Sequence, residues 1–148
     1  SGIIIRVSGV RVPAPLPSPP MNQNLPTPDA EFTLTQIVFP SQVNHYGTLH
    51  GGYALQWMDQ AAWICATRYS RKTMVTIASD RVEFKKPVYE GAIVMLKAHI
   101  SRVGRTSVTV DVEMHAERPL TGERFLATQG QFVMVALDEK GMPTPVKT

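Results

Sequence analysis

Residues 44–52, with the sequence NHYGTLHGG, run directly into residues 53–70, YALQWMDQAAWICATRYS, and this junction decides the fold. The first part is a polar loop that ends in a glycine pair. The second part contains neither proline nor glycine and is rich in Ala, Leu, Met and Gln, which favour helix. Apolar residues occupy nearly every side of that helix, so it leaves little surface for water. We therefore predict one long helix that the rest of the chain wraps.

Asp59 is the exception on this helix, because Leu55 and Ala62 are among its neighbours one turn away. A carboxylate in such surroundings needs a partner or a chemical role. Asp59 could carry chemistry, or it could mark, with Gln56 and Gln60, a narrow stripe that faces solvent or another subunit. The helix alone leaves both interpretations open.

The composition predicts one domain with a substantial core, since the chain has 148 residues and 43% hydrophobic content. No apolar run is long enough to span a membrane, and the apolar run at residues 2–5 is too short for a signal peptide. The formal charge of +3 includes Arg6 and Arg11, so the remainder lacks the basic surface of a nucleic-acid-binding protein. We expect a soluble, cytoplasmic protein without a nucleic-acid or membrane partner.

The potential metal ligands are sparse. Cys65 is the single cysteine, so one chain can form neither a disulfide framework nor a multi-thiolate metal site. Its place in the apolar helix predicts a small core residue. His45 and His50 flank the glycine-containing loop, but no second type of ligand clusters with them. We predict neither a metal ion nor another cofactor.

The chain divides into three predicted segments. Residues 1–31 are poor in core-forming residues after the first few positions, and the proline-dense stretch 12–20 favours an extended, disordered tail. Residues 1–20 look like an upstream or added extension, with Met21 as the natural start. Residues 32–138 form the folded domain, and residues 139–148 form a short C-terminal tail.

After the helix, apolar residues recur at every second position, and this period predicts strands. Residues 32–39 form a strand before the helix, and Gly130 is a candidate bulge in the last strand. The strands after the helix cover residues 74–84, 92–103, 106–117 and 124–137. Short turns between these four favour antiparallel neighbours. We predict an α+β fold, in which an antiparallel sheet of five or six strands wraps one long central helix.

Gly51 and Gly52 would stand at the start of the helix, where backbone N–H groups are unpaired and the helix dipole is positive. Such a site can bind an anion, or hold the carbonyl oxygen of a thioester and stabilise the charge that develops on attack. Close packing of the helix on the sheet would explain the glycines equally well. Asp59 lies eight residues after Gly51, or ~12 Å along a helix. If the two cooperate, Asp59 must therefore come from a second chain whose helix runs antiparallel, in a symmetric dimer.

Asn44 lies in the loop before the helix, where its amide could position a water molecule or the thioester, or could serve only the loop. The sequence has no Gly-x-Ser-x-Gly elbow, no cysteine with a plausible histidine base and no phosphate-binding loop. This removes the commonest hydrolase mechanisms. A carboxylate, an oxyanion site and a positioning amide remain, and together they suit attack on an activated acyl group.

Residues 32–138 resemble the hotdog-fold acyl-CoA thioesterases, particularly the acyl-CoA hydrolase branch. The resemblance is strongest over residues 44–52 and in the sequence WMD that ends at Asp59. It implies that Asp59 is the catalytic carboxylate, Gly51 the oxyanion donor and Asn44 the loop amide, at sites shared between subunits. Relatives often carry Asn-Gly-Asp where this chain has the sequence YGT at residues 46–48.

The function that this resemblance implies is hydrolysis of an acyl-CoA to a carboxylic acid and coenzyme A, within fatty acid metabolism. The enzyme would be at least a homodimer, with a tetramer or hexamer as larger options, and Asp59 would act as general base or nucleophile. The alternatives are a hotdog (R)-hydroxyacyl hydratase or dehydratase, which calls for a histidine in the site, and a non-catalytic acyl-CoA-binding regulator. Lys86 and Arg102 are further basic candidates for the phosphates of coenzyme A. The predicted substrate contacts are His50, Gly52, Lys85, Arg105, Thr106 and Ser107.

Overall fold

The computed structural model describes residues 4–7, 10–13 and 30–147. Its elements are β1 (Ile4–Val7), β2 (Val10–Pro13), β3 (Glu31–Ile37), α1 (Gly51–Ser70), β4 (Thr73–Phe84), β5 (Ile93–Val103), β6 (Ser107–Glu117) and β7 (Arg124–Leu137). The last five strands form one antiparallel sheet in the order β3-β5-β6-β7-β4. The predicted α+β architecture is confirmed, with five strands in the sheet that covers α1.

The segment before β3 differs from the predicted extended tail where the structure describes it. β1 and β2 pair as a short antiparallel hairpin, with Ile4 opposite Pro13. Both strands of a two-stranded sheet are edges, so the missing N–H of a proline can face away from the ladder. The other predictions for residues 1–29, including Met21 as the start, lie outside the described residues. β3 begins at Glu31, one residue before the predicted domain start.

α1 begins at Gly51, two residues earlier than the run free of glycine, and ends at Ser70 as predicted. It ends where Arg71 adopts a left-handed φ of 57° and donates its N–H to the Thr67 carbonyl oxygen, a common helix terminus. Small residues dominate its buried side and let the helix lie close to the sheet. The buried residues are Ala54, Trp57, Met58, Ala61, Ala62, Cys65, Ala66 and Ser70.

One side of α1 is less covered than we predicted. Gln56, Gln60 and Trp63 are exposed, and Asp59 is half-buried beside them. A single five-stranded sheet curls round only part of the helix, so this stripe stays open in one chain. The position of Asp59 on it agrees with the interpretation that the stripe faces solvent or another subunit. In the described part of the chain, no helix is both long and apolar enough to cross a membrane.

The sheet turns one face towards α1 by strict alternation. β6 shows the pattern most regularly, as predicted, since every second side chain from Val108 to Ala116 is buried and the residues between are half-buried. Each buried side chain lies on the face that covers the helix, whereas the intervening ones face outward. The register of β6 with its neighbours is therefore fixed by burial.

The predicted bulge at Gly130 lies on the opposite strand. Arg81 and Val82 of β4 occupy the irregularity that faces Gly130, and Arg81 has a φ of 51°. A Cβ added to Gly130 would lie 2.9 Å from Cγ2 of Val82. Glycine is therefore needed here because it makes room for the bulge of the neighbouring strand.

The predicted C-terminal tail packs onto the domain as far as residue 147. Asp138 forms the predicted turn, and its side-chain oxygen accepts hydrogen bonds from the N–H groups of Lys140 and Met142. Val146 is buried, and its N–H donates to the Arg105 carbonyl oxygen at 2.9 Å. This segment is therefore part of the fold and covers the edge of the β5–β6 turn.

Candidate active site

Asn44 is held in place by the loop that precedes α1. Its side-chain oxygen accepts hydrogen bonds from the N–H of Tyr46 at 2.9 Å and from the N–H and Oγ1 of Thr48, both at 3.1 Å. The backbone N–H of Asn44 donates to the Thr48 carbonyl oxygen at 2.8 Å, and Gly47 takes a φ of 80° in the turn between them. The carbonyl group of the amide thus stabilises the loop. Its amide nitrogen has no hydrogen-bond partner within residues 30–147 and is free to meet a ligand.

The N–H groups of Gly51 and Gly52 come before the hydrogen-bond ladder of α1. The first bonds of that ladder run from Tyr53 and Ala54 to the His50 carbonyl oxygen. The N–H groups of a helix's first turn have no carbonyl partner within the helix and carry the positive end of its dipole. Within residues 30–147, the N–H groups of Gly51 and Gly52 have no backbone hydrogen-bond acceptor.

A cavity of about 290 Å³ opens at this terminus. Gly51 and Ala54 line it from the helix, and Lys85 and Lys86 line it from the segment after β4. Phe84, the last residue of β4, stands beside Gly51, with two ring atoms 3.5 Å from the position that a Cβ would take. A ligand at the helix terminus would thus meet backbone N–H groups, an aromatic ring and two lysines.

Asp59 lies further along α1, where it is hydrogen-bonded to β4, an edge strand of the sheet. Its Oδ1 accepts a hydrogen bond of 2.6 Å from Oγ1 of Thr76 in β4, a length typical of a hydroxyl that donates to an ionised carboxylate. Asp59 does not line the cavity at Gly51. Both residues belong to α1, so they lie ~12 Å apart along the helix axis, as the sequence predicted. One chain does not bring Asp59 and Gly51 together.

The predicted substrate-binding residues fall at two ends of the sheet. Lys85 follows the end of β4, and its Nζ lies 3.3 Å from Oε2 of Glu83, with both side chains largely exposed. Arg105 and Thr106 lie in the β5–β6 turn, and Ser107 begins β6 directly after it. Ser107 pairs with Val135 of β7, which also pairs with Val75 near the start of β4. At ~3.3 Å per residue, the two ends of β4 are more than ~20 Å apart. The structure groups Lys85 with Gly51, and it places Arg105, Thr106 and Ser107 towards the end that holds Thr76.

The histidines beside the loop make few contacts in the described residues. His50 precedes α1 and is exposed, and its ring lies 6.4 Å from that of Tyr53. His45 is exposed beside Tyr46, with ring centroids 4.0 Å apart. Over residues 30–147, no group of three or more metal-ligating side chains is close enough to hold an ion. Cys65 is buried, as predicted, and burial raises the pKa of its thiol to about 11.

Two residues at the site were missed by the sequence reasoning. Thr76 looked like an ordinary strand residue, because threonine is common in strands. Phe84 was predicted only as the last residue of a strand, yet it is 57% exposed and lies beside the start of α1. The requirement that Asp59 have a partner was the one available signal, but it did not say which strand lies beside the helix.

The comparisons with known proteins agree with this architecture. The profile of the thioesterase superfamily matches residues 46–123. This chain belongs to the thioesterase superfamily. The chain is 37% identical over 118 residues to an uncharacterised acyl-CoA thioester hydrolase of Bacillus subtilis, a match that covers 80% of this chain and 69% of the relative.

Solved structures of similar proteins confirm the predicted hotdog fold. An acyl-CoA hydrolase from Staphylococcus aureus, solved in complex with butyryl coenzyme A, is 30% identical with a TM-score of 0.76, over 80% of the present chain and 73% of the hydrolase chain. A hexameric acyl-CoA thioesterase, solved without ligand, is 36% identical with a TM-score of 0.78, over 83% of the present chain and 79% of the hexamer's chain.

The Staphylococcus aureus hydrolase has also been solved as three alanine variants, in which an asparagine, an aspartate or a threonine is replaced. In that protein the asparagine precedes the aspartate by 15 residues, and the threonine follows it by 17. The variant without the asparagine was solved in complex with coenzyme A. In the present chain, Asn44, Asp59 and Thr76 have the same two separations.

Proposed function

We propose that the protein hydrolyses acyl-CoA thioesters to free carboxylic acids and coenzyme A. The observation that carries this proposal is the cavity at the start of α1, where Gly51 offers backbone N–H groups beside Lys85 and Lys86. A thioester carbonyl bound there would be polarised by the N–H groups, and the anionic phosphates of coenzyme A would be attracted by the lysines. Membership of the thioesterase superfamily supports the same reaction.

Each site residue has a distinct role in this proposal. Gly51 binds the thioester oxygen and stabilises the negative charge that develops on it. Asp59 attacks the carbonyl carbon directly, or removes a proton from the attacking water molecule. Thr76 donates to one oxygen of Asp59 and so orients the other. Asn44 positions water or thioester through its amide N–H groups. The equal spacing of the three residues altered in the Staphylococcus aureus hydrolase supports these assignments.

The proposed site is composite, because Asp59 cannot reach a carbonyl at Gly51 of its own chain. Around Asp59, the apolar side chains of Trp63, Val75 and Ile77 are 46%, 37% and 60% exposed, and β4 is an edge of the sheet. Such a surface favours cover by another protein surface. A second copy with an antiparallel α1 would bury it and carry each Asp59 to the other chain's Gly51. A homodimer is thus the minimum, and a tetramer or hexamer would be built from it.

The substrate contacts divide between the two chains in such a dimer. Gly52, Lys85 and His50 belong to the chain that binds the thioester oxygen. Arg105, Thr106 and Ser107 belong to the chain that supplies Asp59, because the β5–β6 turn lies at the Thr76 end of the sheet. We extend the proposal to a cytoplasmic location and to fatty acid metabolism.

The alternatives fit less well. A hydroxyacyl hydratase or dehydratase needs a histidine with an acid partner in the site. The nearest histidine, His50, is exposed and its side chain has no hydrogen bond in the described residues. A non-catalytic regulator would have no use for a carboxylate oriented as Asp59 is by Thr76.

Release of free thiol from a panel of acyl-CoA substrates tests the proposed function. The wild-type protein should release thiol from at least one member, and Asp59→Asn should reduce turnover by about 10²-fold or more. Glu139→Gln, which makes the same change to an exposed carboxylate in the turn after β7, is the matched control and should retain activity. Absence of thiol release from every substrate, or equal turnover by the folded Asp59→Asn variant, would exclude the function.

A single turnover in ¹⁸O-labelled water with excess enzyme distinguishes the two roles of Asp59. If Asp59 is the nucleophile and water opens the resulting anhydride at the Asp59 carbonyl, the oxygen of Asp59 enters the first product and the label appears in Asp59. If Asp59 is the general base, the first product already carries the label. Label in Asp59 therefore excludes the general-base mechanism, and label in the product alone excludes an anhydride opened at Asp59.

A further inference from the structure

Two side-chain hydrogen bonds join α1 to β4 within residues 30–147. One is the bond that Thr76 donates to Asp59. In the other, the indole Nε1–H of Trp63 donates to the Met74 carbonyl oxygen at 3.1 Å. Trp63 is 46% exposed, so burial alone does not require a protein partner for its N–H group. The bond therefore calls for an explanation other than the burial of a polar atom.

The two bonds have matching spacings on the helix and on the strand. Trp63 follows Asp59 by four residues, which places it on the same side of α1 and ~6 Å further along the axis. Met74 precedes Thr76 by two residues, which places it on the same face of β4 at a distance of ~6.6 Å. Both bonds therefore form at one and the same axial position of α1 against β4.

Met74 is the residue through which β4 is attached to the core. Among the twelve residues of β4, all of them described, Met74 alone is buried, at 3% exposure. The pairing of β4 with β7 is regular from Thr73 to Thr76 and is interrupted between Thr76 and Ala78. Thr76 thus lies between the buried residue and a bulge, where a strand bends. Its position relative to α1 depends on the contacts made at Met74.

A directional contact is needed at this place because apolar packing alone does not fix how α1 lies along the sheet. The hydrophobic effect has no preferred direction, whereas a hydrogen bond weakens steeply as its distance and angle depart from the optimum. The bond of 2.6 Å from Thr76 to Asp59 therefore requires that α1 and β4 keep one axial position. The bond from Trp63 to Met74 is the second directional contact that holds this position.

We propose that Trp63 is a positioning residue for thioester hydrolysis, which acts on Asp59 through Met74 and Thr76. Its indole N–H holds the start of β4 against α1, and Thr76 can then keep Asp59 in one orientation. The proposal rests on the proposed function and adds a residue to the chain that supplies Asp59. Trp63 touches no reacting atom, so its loss should lower kcat and leave KM unchanged.

A double-mutant cycle tests this role, because the effect of Trp63 should depend on the hydroxyl of Thr76. Trp63→Phe removes the N–H group and retains an aromatic ring. A neutral hydrogen bond contributes a factor of about three to ten, so kcat should fall by that factor, with KM within about twofold of the wild type. In a Thr76→Val background the same change should lower kcat by less than about 1.5-fold.

Trp57→Phe is the matched control, since Trp57 is the other tryptophan of α1 and its side chain has no hydrogen bond in the described residues. It should change kcat by the same factor in both backgrounds. We calculate kcat per folded oligomer isolated by gel filtration, so misfolded protein does not count as slow enzyme. If Trp63→Phe fails to fold, benzothienylalanine at position 63 replaces the N–H by sulfur in a ring system of the same shape, and the same cycle applies.

An unchanged kcat in the wild-type background, or an equal loss from Trp63→Phe in both backgrounds, would overturn the positioning role. A raised KM with kcat preserved would also overturn it, because Trp63 would then contact the substrate. Failure of the wild type to hydrolyse any acyl-CoA would instead overturn the proposed function.

Discussion

Thr76→Val removes the hydroxyl that orients Asp59 and changes the shape of the side chain very little. The lost hydrogen bond is 2.6 Å long and ends on a carboxylate oxygen. A hydrogen bond to a charged group contributes about 1.5–3 kcal/mol when water cannot replace it. If a second chain covers Asp59 as proposed, the loss should reduce kcat by about 10- to 150-fold.

The assay is thiol release at saturating acyl-CoA, with KM measured separately, because an orienting role lowers kcat more than it changes KM. Thr73→Val is the matched control, since Thr73 is an exposed threonine of the same strand with no side-chain hydrogen bond in the described residues. Circular dichroism and the oligomer mass should match the wild type in both variants. An activity of Thr76→Val within threefold of the wild type, or an equal loss in Thr73→Val, would refute the orienting role.

Three further predictions concern single positions. In Gly51→Ala the new methyl group enters the cavity and lies at an ordinary contact distance of 3.5 Å from the Phe84 ring. Turnover should therefore fall about tenfold or more, with the melting temperature preserved. Gly52→Ala adds a Cβ that meets nothing within 4 Å, so this variant should stay active unless a partner lies there. Gly130→Ala should lower the free energy of unfolding by about 1–3 kcal/mol in a denaturant titration, because its Cβ would lie 2.9 Å from Cγ2 of Val82. Cys65 should resist thiol reagents in the folded protein at pH 8, and rapid labelling without unfolding would contradict its burial. Because the pKa of this thiol is raised from 9.0 to about 11, the free energy of unfolding should fall as the pH rises from about 9 to 11.

The sequence was sufficient for most of the architecture, because the relevant signals were local. The change of period from the helix to the strands marks α1 and the four later strands, and the alternation in β6 identifies its buried face. Predictions failed where a feature depends on a distant partner. Gly130 looked like a bulge, but the bulge belongs to Val82 on the neighbouring strand. Val146 looked like part of a free tail, but it is buried at the β5–β6 turn.

The site residues also divide into those with a local signal in the sequence and those whose role depends on a distant partner. Asp59 was conspicuous because a carboxylate among apolar helix residues requires an explanation, and Gly51 because a helix terminus binds anions. Thr76 and Phe84 were not conspicuous, since each matters through its position beside α1, which depends on how the sheet packs. The helical rise also predicted that Asp59 and Gly51 of one chain lie too far apart to act on the same carbonyl. The structure places both residues in α1, as that prediction requires.

Complementation between Asn44→Ala and Asp59→Ala tests the composite site most directly when each variant alone is nearly inactive. Asn44→Ala removes the amide that we assign to the same chain as Gly51, and Asp59→Ala removes the carboxylate that the other chain supplies. A mixed dimer has one site with both defects and one with neither. Unfolding and refolding the two variants together in equal amounts, with chain exchange verified by mass, should therefore restore about a quarter of wild-type activity if pairing is random and the sites are independent. Activity no greater than the sum of the two separate variants would contradict a site shared between chains.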